Sequence, residues 1–183
     1  NSYAVNFYKN TNDTDRIKGF YDNNRAGVTQ GRAFGSSDVG QGNDVVSGFG
    51  SGILMAPTMD AIILPAFESL FIQAEAAQRG YIPGDASALF KQAVTESFRL
   101  LGVTDYNNQA QTFYSQPDNK VNIDLSANKI NTIILQKWAA LNAYDPLESY
   151  SDWRRLGIPA DLPVSIYPGT TASHIPFRLL YPT

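Results

Sequence analysis

The sequence contains no cysteine, little charge and a single histidine. The absence of Cys from the 183 residues excludes disulfide bonds and thiolate metal sites. Charged residues make up only 17% of the chain, and the net charge of −3 disfavours a nucleic-acid-binding protein, since such proteins neutralise phosphates with a basic face. The one histidine, His174, stands apart from any cluster of ligand-type residues, so we expect neither a metal site nor a cofactor.

Long hydrophobic runs are also missing, because no apolar stretch reaches the roughly 18–20 residues that cross a bilayer. The opening residues NSYAVNFYKN lack the basic and apolar regions of a signal peptide. Motifs of phosphate-binding loops, serine hydrolases and zinc proteases are absent. What is present is 43% hydrophobic and 12% aromatic residues, enough for one domain with a core. The polar surface must come largely from uncharged side chains, which suits neutral ligands such as sugars.

Residues 1–57 show little regular pattern. The alternation of apolar residues at 3–7 predicts a short extended piece. Eight glycines occur in the 26 residues from Gly27 to Gly52, and this density predicts a long irregular loop. Such a loop is either a mobile surface excursion or a functional segment that presents Phe34 and Phe49 to a ligand or partner.

Residues 58–159 carry helical patterns. We predict a helix over Pro65–Arg79, a second helix capped by Asp85 and running to Leu101, and a short third helix over Asp105–Phe113. The first two helices keep the small, small, large, small spacing of a tetratricopeptide repeat, although a generic helical hairpin fits as well. The residues at these four positions are Ala74, Ala86, Phe90 and Ala93.

The stretch Ile130–Pro159 is the densest in large apolar residues and predicts two more helices. Ser126 is the predicted cap of the first. Asp145 is the predicted N-cap of the second, with Pro146 at its first helical position, and Gly157 ends it. These thirty residues therefore form the predicted centre of the core.

Two acidic residues on the first helix were candidates for a glycosidase pair, because Glu68 and Glu75 lie two turns apart. Core-type residues flank both, so we favour a pairing with arginine over catalysis. Arg154 and Arg155, near the end of the last helix, are the expected partners of Glu75 or Glu68, and ligand recognition is the alternative.

The two tryptophans lie at helical core spacing. We therefore predict that Trp138 and Trp153 pack in the core, with sugar stacking as the alternative. Asp152, beside Trp153, is predicted to be an exposed helix position.

Three segments together resemble the C-terminal region of a known family. They are FESLFIQAEAAQRG (Phe67–Gly80), ILQKWAALNAYDPLESYSDWRRLGIP (Ile134–Pro159) and IPFRLLYPT (Ile175–Thr183). Their order and motifs are similar to those of the SusD/RagB family, the SusD-like outer-membrane lipoproteins of Bacteroidetes.

This resemblance implies a mainly α fold of tetratricopeptide-like helix pairs, an α-α superhelix with long irregular loops. It also implies a non-catalytic protein at the cell outer membrane, surface-exposed and held by a lipid anchor. Such proteins capture oligosaccharides or other nutrients for a TonB-dependent outer-membrane transporter. Family members are longer, so we expect residues 1–183 to be one domain and a C-terminal fragment. Its parts would be an irregular region (1–57), a helical core (58–159) and an extended tail (160–183).

The predicted ligand-facing residues lie in the irregular region, where large aromatic side chains have the least structural reason to be. They are Tyr21, Asn24, Arg25, Phe34 and Phe49. The alternative function is a tetratricopeptide-like protein–protein interaction module without a ligand site of its own.

Overall fold

The computed structural model describes residues 2–22, 47–54, 56–164 and 175–176. This part of the chain contains seven α-helices, one 3-10 turn and an isolated β-bridge, which confirms the predicted mainly α fold. No described helix is both long and apolar enough to span a membrane. The helices are α1 (Tyr3–Asn10), α2 (Arg16–Phe20), α3 (Ala66–Gln78), α4 (Ala86–Leu100), α5 (Tyr106–Tyr114), α6 (Lys129–Ala140) and α7 (Pro146–Leu156), and the 3-10 turn is Ile123–Leu125.

The extended piece predicted near the N-terminus is wrong, because residues 3–10 form α1. The Ser2 hydroxyl caps this helix by accepting a hydrogen bond from the Val5 amide. Val5 and Tyr8, three positions apart, are both fully buried on one helical face. Packing of this face therefore decides the conformation, and α1 and α2 place helices within the stretch predicted to be irregular.

Helices α3 and α4 form the predicted antiparallel pair. Asp85 caps α4 by accepting hydrogen bonds from the amides of Ser87 at 2.8 Å and Ala88 at 3.3 Å. Gly80 follows α3 with a φ of 74°, in the left-handed region that favours glycine. The four residues of the predicted small-residue spacing are all buried: Ala74, Ala86, Phe90 and Ala93.

Helix α6 lies between two hydrophobic clusters, and eight of its 12 residues are buried. It contributes Ile133 to the first core cluster and Leu135 to the second. The first core cluster joins α6 to α3, α4 and α5 and includes Phe67, Phe71, Phe90, Phe98 and Phe113. The second core cluster joins α6 to α1 and α2 and includes Val5, Tyr8, Ile17, Phe20 and Ala139.

The caps of α6 and α7 agree only in part with the sequence-based prediction. Asn128, not Ser126, caps α6, because its side-chain oxygen lies 3.2 Å from the Asn131 amide. The Ser126 hydroxyl accepts a hydrogen bond from the amide of Asn128 instead. Asp145 caps α7 as predicted, and Gly157 ends it with a φ of 66°.

A buried ion pair ties α2 to the rest of the core. The Arg16 side chain is fully buried, and its Nε donates to Asp13 Oδ2 at 2.6 Å. Its Nη2 donates to Gln136 Oε1 on α6 at 2.7 Å. The guanidinium lies 5.3 Å from the ring centroid of Phe98 and 4.8 Å from that of Phe113. One side chain therefore connects α2 with α4, α5 and α6.

Candidate ligand-binding site

The end of the glycine-rich segment lies directly on α2. Backbone hydrogen bonds fix it there: Asp22 N to Gly48 O at 3.0 Å, Gly50 N to Phe20 O at 2.8 Å and Gly52 N to Gly19 O at 3.0 Å. A Cβ added at Gly50 would lie 2.3 Å from Gly19 O, so only glycine allows this approach. We call residues 47–54, together with Tyr21 and Asp22, the loop base.

Two of the five predicted ligand-facing residues meet at the loop base. Tyr21 and Phe49 form an antiparallel β-bridge. Phe49 is 66% exposed, whereas Tyr21 is partly buried and its hydroxyl accepts a hydrogen bond from Asn142 Nδ2 at 3.2 Å. The loop base therefore holds an exposed aromatic ring at a fixed position. The other three predicted residues lie outside the described residues: Asn24, Arg25 and Phe34.

A second feature, which the sequence analysis missed, is an aromatic cleft where α6 ends and α7 begins. Its volume is about 250 Å³. Trp153 and Tyr150 form a stacked pair on α7, with ring centroids 6.1 Å apart and an interplanar angle of 19°. Asn142 lines the cleft and also bonds Tyr21, so the cleft adjoins the loop base. The residues that characterise it are Trp138, Leu141, Asn142, Ser149, Tyr150 and Trp153.

The two tryptophans differ in their surroundings. Trp138 packs edge-to-face against Tyr3 and Phe7, at centroid distances of 5.5 and 5.4 Å, which confirms its predicted role in packing. Trp153 is half-buried and stacks on Tyr150, outside the two core clusters that the described residues form. The sequence signal for the position of Trp153 is that most residues flanking Tyr150 and Trp153 in α7 are charged or polar. Such a segment offers few aliphatic partners for a core.

The opposite side of α7 is held by charged side chains. The prediction that Asp152 is exposed is wrong, because this residue is buried. Its Oδ2 forms an ion pair with Lys137 Nζ at 2.9 Å, which compensates the buried charge. For Arg155 the predicted arginine–glutamate pair is confirmed, since its Nη2 donates to Glu75 Oε2 at 2.7 Å and also to Asp152 Oδ1 at 2.7 Å. The Arg154 guanidinium lies 5.9 Å from the ring centroid of Tyr150 instead. Burial alone would raise the pKa of Glu75, but hydrogen bonds from Arg155 and Arg79 hold it below the usual 4.5.

Glu68, the other acid considered for catalysis, contacts a lysine and not an arginine. Its Oε1 lies 3.8 Å from Lys137 Nζ, and burial raises its pKa. Glu68 and Glu75 therefore each pair with cationic side chains of α6 or α7. Among the described residues, no group of three His, Cys, Asp or Glu could hold a metal ion, and His174 lies outside them.

Comparison with known proteins identifies the family. A family model described as "Starch-binding associating with outer membrane" matches residues 3–182. The chain belongs to the SusD-like family. The SusD-like chain is also similar to the crystal structure of a SusD homologue from Bacteroides fragilis NCTC 9343, with a TM-score of 0.69 and 23% sequence identity. The match covers 99% of this chain and 45% of that one, so this chain spans less than half the length of the solved homologue.

No curated protein matches the sequence. The resemblance stated from sequence motifs is confirmed by the family match, and the structural similarity supports the fold. The family description, which names starch binding, supports the prediction of a binding protein and not an enzyme.

Proposed function

We propose that this SusD-like chain is part of a non-catalytic protein that captures oligosaccharide or polysaccharide nutrients at the outer membrane. The family description, which names starch binding and association with the outer membrane, carries the proposal. The low charge of the chain also fits a neutral ligand, because uncharged polar groups hydrogen-bond to hydroxyls without the cost of desolvating ions.

The loop base supplies a mechanism of capture. Phe49 presents its ring to solvent from a backbone that α2 holds in place, so little conformational entropy is lost when a ligand binds. An aromatic face of this kind can cover the apolar face of a sugar ring. Tyr21, which the backbone bridge pairs with Phe49, is the second aromatic residue of the loop base. Asn24, Arg25 and Phe34, which lie in the sequence between the two parts of the loop base, would add hydrogen bonds and a further aromatic face.

Affinity gel electrophoresis in starch and other neutral polysaccharides tests this proposal. We expect Phe49→Ala to weaken retardation about fivefold, the effect of roughly 1 kcal/mol of aromatic contact. Tyr81→Ala is the matched control, because Tyr81 is a 75% exposed aromatic residue in the α3–α4 connection. Unchanged retardation of both Phe49→Ala and Phe34→Ala would contradict the assignment of this site.

For the partner, we propose a TonB-dependent outer-membrane transporter, with the complete protein held at the cell surface by a lipid anchor. Three exposed apolar side chains before α3 support a protein contact: Leu54 (68% exposed), Ile63 (91%) and Leu64 (63%). Co-purification of the complete protein with the co-expressed transporter tests the proposal, and Ile63→Asp should reduce recovery of the transporter. Recovery of a different protein without any glycan binding would favour the alternative interaction module.

A further inference from the structure

We infer that the aromatic cleft is a second binding site, which takes one uncharged sugar unit and is separate from the residues of the loop base. The inference rests on the proposed function, because it assumes that the natural ligand is a glycan.

The stacked pair on α7 is the first observation. Tyr150 and Trp153 lie nearly parallel and line the cleft, with ring centroids 6.1 Å apart. Two contacts hold the Tyr150 side chain in place. Its hydroxyl donates to the carbonyl of Pro176, and the Arg154 guanidinium lies 5.9 Å from its ring centroid. A rigid, partly exposed aromatic surface costs little entropy on binding and suits the flat apolar face of a sugar ring.

The ion pairs that attach α7 to the scaffold lie on a different helical face from these rings. Asp152 is its one buried residue, and the ion pairs of Asp152 and Arg155 reach Lys137 and Glu75 on α6 and α3. Asp152 and Arg155 are on roughly the opposite helical face from Tyr150 and Trp153, given 3.6 residues per turn. The ion pairs therefore anchor α7 through the face opposite the cleft, and the two rings line the cleft itself.

The chemistry of the cleft selects a neutral ligand. Among the described residues that line it, none is charged, whereas Asn142 and Ser149 supply an amide and a hydroxyl. An anionic ligand would therefore lose its hydration without gaining a cationic partner. The volume of about 250 Å³ is below the usual range of roughly 300–1,000 Å³ for drug-sized ligands, which points to a single sugar unit.

Tryptophan fluorescence offers a specific test, because the only two tryptophans of the chain, Trp138 and Trp153, both line the cleft. The unaltered protein is titrated with maltoheptaose and with neutral xylan, mannan and β-glucan oligosaccharides. We expect at least one to change the emission saturably, whereas oligogalacturonate, which is anionic, should not. Trp153→Ala should weaken the binding of that oligosaccharide at least tenfold, measured by calorimetry. The Phe49→Ala variant should still show the emission change.

The outcomes separate this inference from the proposed function. In one outcome, a glycan retards the protein in the affinity gel, in a way that depends on Phe49, and yet leaves the tryptophan emission unchanged. That result would overturn the cleft site while the proposed function stands. If no neutral glycan of the panel changes the emission, the cleft site is likewise overturned. Because this result comes from the unaltered protein, it does not depend on whether Trp153→Ala folds.

Discussion

At the scale of single residues, Arg16 joins α2 to three other helices. Its guanidinium donates to Asp13, Ser97 and Gln136 and is fully buried. Replacement by methionine would leave the Asp13 carboxylate buried without its counter-charge. We therefore expect Arg16→Met to lower the free energy of unfolding by about 3–5 kcal/mol, measured by urea denaturation.

Lys18→Met is the control for this change, because it removes a cation from the same helix. Lys18 pairs with Asp15 at 3.7 Å, and its side chain is 64% exposed. Solvent screens such a pair, so we expect a loss below about 1 kcal/mol. If both variants lost the same free energy of unfolding, burial of the Arg16–Asp13 pair would not increase its contribution to stability.

The spacing of Asp13 and Arg16 could not reveal this difference in advance. An acid and a base three positions apart look the same in the sequence whether they are exposed or buried. Burial of Arg16 is set by Phe98 and Phe113, which lie more than eighty positions further along the chain.

At the scale of elements, two of the three helix N-caps predicted from the sequence are correct, because local chemistry decides them, whereas a helix that distant packing decides was missed. The caps at Asp85 and Asp145 were found because each side chain accepts bonds from amides only two or three residues away. Helix α1 was missed because eight residues are too few to be helical without tertiary contacts. Those contacts come from Trp138, far away in the sequence.

Helix α7 should be the least protected from amide exchange of the helices longer than ten residues, because Asp152 is its one buried residue and ion pairs attach it to α3 and α6. We expect Arg155→Met to remove its bonds to Glu75 and Asp152 and to speed amide exchange in α7 about fivefold, the effect of roughly 1 kcal/mol in a half-exposed pair. Hydrogen–deuterium exchange with mass spectrometry measures the amide exchange rates of α7, with those of α4 as the reference.

Arg154→Met provides the comparison, since it removes the same charge one position earlier in α7. Arg154 contacts the Tyr150 ring and is exposed, so its loss should leave the exchange of α7 nearly unchanged. Similar acceleration in both variants would mean that helix charge, and not the ion pair to Glu75, controls α7.

At the scale of the whole molecule, the family motifs located the scaffold better than the ligand site. The motifs lie mostly on α3, α6 and α7, whose buried residues follow helical spacing. The aromatic cleft depends on how the end of α6 meets α7, which no spacing within one helix records. Of the predicted site, the structure brings together Tyr21 and Phe49 through a backbone bridge between positions 28 residues apart.

Because α6 belongs to both core clusters, we expect them to unfold together. Phe90 is buried in the first cluster, whereas Trp138 packs against the second. In a Trp153→Phe background, Phe90→Ala should destabilise the protein by about 3–5 kcal/mol and shift the tryptophan and circular-dichroism transitions equally. Leu147→Ala, at a 67% exposed position, should shift neither. In Phe90→Ala, the circular-dichroism transition could shift while the tryptophan transition stays unchanged. That result would mean that α6 does not couple the two clusters.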